Sequence, residues 1–167
     1  EWWIEESRVA TYYPGNTLAR DVVAKTQTIV CGGKKYDIAA INVDGSNYFK
    51  VRDIAAMLIG TEKPVAVEWD ASTNAINLVS GFDYEKNGSE LQKGDGSQKV
   101  ANVSTAILNV DDVPTGAMCY NVDGSNYFKL RDVLDAVDCL VEWDEYSQTI
   151  VVTPQLNASY LQDTAND

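Results

Sequence analysis

The chain has 167 residues, 45% of them hydrophobic, with a mean hydropathy of −0.23, enough to bury a core in one ordinary domain or two small ones without metal or disulfide staples. Its 13 basic and 25 acidic residues give a net charge of −12 and form no basic patch, which argues against nucleic acid and anionic membrane as partners. Histidine is absent, which removes the commonest general base and the commonest zinc or copper ligand.

The opening EWWIEESRVATYYPGN carries Trp2, Trp3, Tyr12 and Tyr13, too much aromatic surface to leave in water. Residues 1–26 therefore read as an extension that docks on the rest of the chain or closes a preceding domain. Glu1 in place of Met reads as the start of a mature or excised fragment; no basic-then-apolar signal segment opens it, and no run of about 18 apolar residues spans a membrane.

The remainder of the chain is a duplication. NVDGSNYFKVRD (42–53) returns as NVDGSNYFKLRD (121–132), and the same shift of 79 lays TIVCGGKKYDIAAIN (28–42) on ILNVDDVPTGAMCYN (107–121). Further on the shift drops to 74, where VEWDASTNAINL (67–78) meets VEWDEYSQTIVV (141–152), so the first copy carries five extra residues around IGTEKP. In each copy a short apolar strand (Thr28 to Val30, Ile107 to Val110) turns at Gly32-Gly33 or Asp111-Asp112 into a second strand. Asp44-Gly45 and Asp123-Gly124 are hairpin-turn signals. The third strand, SNYFKVR or SNYFKLR, alternates Phe49 and Val51 against Tyr48 and Lys50, and feeds a short helix at Asp53 or Asp132. VEWD and an apolar return strand complete the unit.

The reading is an α+β protein of two β-β-β-α-β-β repeats, each a small antiparallel sheet curled around one helix, packed as a pseudo-symmetric body. The repeats span 27–80 and 105–153, joined by a Gly- and Ser-rich linker at 81–104, with a tail at 154–167. Cys31, Cys119 and Cys139 form no C-x-x-C spacing and read as small buried hydrophobes, with a bridge between one pair left open.

Arg52-Asp53 and Arg131-Asp132 read as helix caps with paired arginines, a folding signal more than a charge clamp beside a general base. Glu68, Asp70, Glu142 and Asp144 can be posed as glycosidase carboxylates, but each pair is a strand-face residue followed by a turn residue. Trp69 and Trp143 read as core more than as sugar platforms, since Val67 and Val141 share their faces. DYEKNGSE (83–90) begins like a calcium loop, yet its twelfth position is Gly94, so no metal is expected. NVS at 102 and NAS at 157 match glycosylation sequons too common to decide anything. The outward side of the repeated strand offers two equivalent stripes, Tyr48 with Lys50 and Tyr127 with Lys129, able to stack on a sugar or grip a protein edge. The bland alternative is a Tyr-covered sheet with edge-protecting lysines.

The conjunction NYFKVRDIAAML…GTEKPVAVEWDASTNAINL and NYFKLRDVLDAV…VEWDEYSQTIVV resembles the copper amine oxidase N-terminal-like (stalk) domain of secreted and cell-surface proteins from Gram-positive bacteria, over about residues 27 to 153. That resemblance implies an antiparallel sheet curled around one helix, no copper or quinone chemistry, no cofactor, and an address at the cell envelope or outside the cell. It points to a non-catalytic stalk, spacer or interaction module. The alternatives are a module that binds cell-wall glycan or peptide and a carboxylate-dependent hydrolase. Partners expected on this reading are a cell-wall polymer or another envelope protein, and an open edge strand on each sheet leaves room for a dimer.

Overall fold

The computed structural model describes residues 19–154. The aromatic opening with Trp2, Trp3, Tyr12 and Tyr13, and the tail with its sequon at Asn157, lie outside the described residues. Residues expected as part of the extension supply β1 (Arg20–Val23) and the start of β2 (Lys25–Cys31), and the first copy continues with β3 (Lys34–Val43), β4 (Ser46–Lys50), α1 (Val51–Met57), β5 (Val65–Asp70) and β6 (Ala75–Ser80). The segment between the copies supplies β7 (Gln98–Ser104), and the second copy β8 (Ile107–Val110), β9 (Val113–Pro114), β10 (Cys119–Val122), β11 (Ser125–Lys129), α2 (Leu130–Ala136), β12 (Leu140–Asp144) and β13 (Thr149–Thr153).

The local signals act as their chemistry requires. Asp44 and Gly45 adopt φ of 52° and 88°, Asp123 and Gly124 52° and 84°, the doubly left-handed geometry of a two-residue hairpin turn. The Asn42 and Asn121 side chains accept the Gly45 and Gly124 N–H groups at 3.1 and 3.2 Å, which fixes the register Val43 to Ser46 and Val122 to Ser125. The helices begin two residues earlier than the aspartates suggest. Asp53 and Asp132 are therefore first-turn acids rather than N-caps, and the cap positions, Lys50 and Lys129, make no side-chain cap bond. A helix of seven residues does not persist alone, and burial of Ile54 and Met57, or of Val133 and Leu134, holds each in place.

The expected pair of β-β-β-α-β-β units is not what forms. The described residues are mostly β, 51% strand against 10% helix, in a nine-stranded sheet (β1-β7-β10-β11-β4-β3-β2-β13-β12) and a four-stranded one (β5-β6-β8-β9). Both sheets draw strands from both copies. The first copy's return strand β6 pairs in parallel with β8 of the second, Ile76 beside Leu108, while β13 pairs in parallel with β2, Ile150 beside Ile29. Each copy thus lends its last hairpin to the other. The copies also join where β4 meets β11 antiparallel, Phe49 opposite Phe128. The physical reason is edge equivalence: β2 and β8 present similar apolar edges, and the hairpin pairs with the one that completes the shared core.

Two cores result. The larger lies under α1 and α2 and is centred on Phe49, Phe128, Ile29, Leu78, Leu108 and Ile150. The second is enclosed by β1, β7, β10, β11, β4 and β3, with β1 packed back against β3, and holds Val22, Ile41, Val43, Tyr48, Ala101, Tyr120, Val122 and Tyr127. Because β4 and β11 lie between the cores, both of their faces are covered. The segment expected as a linker ends in β7, an integral strand between β1 and β10. Cys31, Cys119 and Cys139 are buried free thiols, with burial pushing them up to about 11, 11 and 12. No helix of the described residues is long and apolar enough to cross a membrane.

Candidate functional site: a cleft at Trp69

The outward Tyr/Lys stripes do not exist as such. Tyr48 and Tyr127 are each 5% exposed, their rings turned into the second core, where Tyr48 meets Tyr120 edge to face at 5.2 Å. The alternation of faces holds, but the second face is closed by a sheet that the string cannot announce. Lys50 and Lys129 remain half-buried at the strand ends, opposite Tyr127 and Tyr48. The tryptophans depart in the opposite direction. Trp69 and Trp143 pair with the core residues Ile76 and Ile150 yet are 51% and 44% exposed, on β5 and β12, the outermost strands of their sheets.

Around Trp69 the chain builds a cleft of about 520 Å³. One wall is Val67, Trp69 and Ile76; another is the β4–α1 junction, Lys50 to Asp53; Ser89 and Glu90 close a third side, and the second copy's hairpin brings Gly124, Ser125 and Asn126. It therefore exists only because the copies interlock. Its volume falls within the roughly 300–1,000 Å³ of small-molecule sites.

The segment before β7 is a laced strap rather than a loose linker. Tyr84 is buried and donates its hydroxyl to Glu90 Oε2, which also accepts the Asn87 N–H at 3.0 Å, while Oε1 accepts the Gly88 N–H at 3.1 Å. Burial alone would raise the Glu90 carboxyl, but these bonds outweigh it and hold it at about 2. Glu90 thus completes a turn of its own strap. Arg52 does not pair with Asp53 but reaches the Tyr84 hydroxyl at 3.4 Å, its guanidinium 5.9 Å from the ring centre. Further along, the Ala39 N–H donates to Gln92 O, and the Gly94 N–H to Thr26 Oγ1 at 2.9 Å.

Asp53 is the chemically unusual member. It is 2% exposed, its Oδ1 accepts the Leu91 N–H at 2.8 Å, and its Oδ2 is buried with no partner among the described residues. Desolvation raises its pKa; the Leu91 bond and nearby Lys50 oppose this, and Glu90 adds to it. A buried acceptor without a partner costs free energy, and here it belongs to a residue in the wall of the cleft.

Among the described residues the second copy has no matching site. Arg131 is exposed and donates to Val141 O at 3.4 Å, Asp132 is half-buried beside Asp111 and Asp135 in an open depression, and Trp143 faces a shallow acidic surface with Glu142, Asp144 and Glu145. The carboxylates posed for hydrolysis lie elsewhere: Glu68 is exposed and off the cleft, and Asp70 binds Ser72 of its own turn at 2.7 Å. Ser89, Glu90, Ser125 and Asn126 are not legible as site residues in the sequence, since they come from a strap and a hairpin brought in by tertiary structure. Arg52, Asp53 and Trp69 do stand out there, but as structural parts. No family model matches the chain, and no curated protein or solved structure matches it.

Proposed function

We propose that the chain is a non-catalytic interaction module of the cell envelope or exterior, and that its ligand is held in the Trp69 cleft. The observation that carries this is the exposed indole set beside the buried, open Asp53 Oδ2 in an otherwise well-packed body. The envelope address rests on the resemblance of the duplicated NYFK[VL]RD and VEWD motifs to stalk domains.

Of the two acids of the cleft, Glu90 suits binding better than proton transfer. Glu90 is held at about 2 by three donors, far from the pKa of an acid or base that works near neutrality. The test is sedimentation of the protein with isolated Gram-positive cell-wall material. Retention that falls sharply in Trp69→Ala and survives in Trp143→Ala is the expected result. Equal retention of all three proteins, or of none, refutes the assignment to this cleft.

A further inference from the structure

We infer that the Trp69 cleft is a subsite for one neutral pyranose ring of a glycan chain, an inference that rests on the binding-module reading above. Four charged groups line it, Lys50 and Arg52 against Asp53 and Glu90, so formal charge balances within the cleft. An anion would meet the carboxylates and a cation would meet Lys50 and Arg52, whereas an uncharged ligand rich in hydroxyls meets neither penalty. Such a ligand also uses what is present. The indole face, negative at its centre, takes the polarised C–H face of a sugar ring, and Val67 and Ile76 extend that apolar wall.

The polar side is equally selective. Asp53 lines the wall with its Oδ2 covered and unpartnered, and a ligand hydroxyl that reached it through a small shift of the wall would satisfy an acceptor that nothing among the described residues satisfies. Lys50 and Arg52 supply donors to ring and exocyclic oxygens, while Ser89, Ser125 and Asn126 supply groups that both donate and accept. An extended peptide would seek a free strand edge for its backbone, which β5 at the rim of the cleft offers, so the peptide panel below separates the two kinds of ligand. The cleft, at about 520 Å³, has room for a sugar ring against the indole.

The experiment is calorimetric titration of the full chain with neutral hexasaccharides of glucose, xylose and N-acetylglucosamine, beside a panel of short peptides. At least one hexasaccharide should bind, with affinity reduced at least about tenfold in both Trp69→Ala and Asp53→Asn and unchanged in Trp143→Ala. Because the ligand is neutral, affinity should hold when salt is raised to about 1 M, where screening acts beyond about 3 Å. Asp53→Asn keeps the size of the side chain and its acceptor for Leu91, so a loss there reads as a lost acceptor and not as unfolding. Peptide binding through Trp69 with no saccharide binding would overturn the glycan assignment and leave the binding module standing. Saccharide binding untouched by either cleft variant would overturn the site. No binding to wall material or to any probe would sink both readings.

Discussion

Replacing Ile150 by Ala tests the interlocked topology, because this residue belongs to the second copy and packs on the first. It is 6% exposed and sits beside Ile29, itself fully buried, in the parallel β13–β2 pairing. Removing a buried isoleucine side chain to Ala costs about 2–5 kcal/mol, from lost burial and the cavity left behind. In a protein of this size that is a fall in Tm of roughly 2–4 °C per kcal/mol. The assay is urea unfolding followed by both tryptophan emission and circular dichroism, with hydrogen exchange of the backbone amides. A single transition shifted to lower urea by both probes is expected, with protection lost in β2 (Lys25–Cys31) as much as in β12 and β13. Two independent repeats would give a different result. A biphasic transition, or full protection of β2 while β13 opens, refutes the exchange of hairpins.

Asp53→Asn should stabilise the protein at neutral pH by on the order of 1 kcal/mol, since a buried carboxylate with one open oxygen is a liability to the fold. The native state holds this proton more tightly than the unfolded chain does, so wild-type stability falls as pH rises from about 3.8 through the raised native value; the Asn variant lacks that fall, and thermal unfolding across pH 3 to 7 reads the divergence. Glu90→Gln acts in the opposite sense: the depressed Glu90 contributes stability above about 4.5 that is lost as pH falls towards about 2, so the gap between wild type and variant should be widest near neutrality and close in acid. A gap independent of pH would refute the role given to the strap carboxylate. Gly94→Ala should destabilise by more than about 1 kcal/mol in urea titrations, because its Cβ would press on the backbone carbonyl oxygens of Ala24 and Lys25. A neutral Gly94→Ala would mean that the strap is not seated against β1 and β2.

Much of the local structure is legible in single residues. The Asp-Gly dipeptides name their turns because only residues tolerant of positive φ fit there, and the NYFK alternation names two faces because strand side chains alternate. The same string cannot say that both faces are covered, and so by itself it sends Tyr48 and Tyr127 to water. Their neighbours Phe49 and Phe128 carry a usable hint. Adjacent large aromatics on a strand serve opposite sides, and two covered sides are one way to accommodate both. For Trp69 the sequence misleads in the other direction, since sharing a face with Val67 does not say that β5 ends up at the edge of its sheet with no strand beyond it.

What the sequence determined by itself is the duplication, the hairpin turns and the alternation of faces along the repeated strand, all legible within a few positions of the chain. Tertiary structure alone decided which copy each return hairpin joins, and with it the Trp69 cleft, whose walls come from α1, β5, β6, the strap and the other copy's turn. The physical reason is that two copies of one sequence offer equivalent edges, so local chemistry is silent between them. The choice falls to the packing that buries the most surface in common.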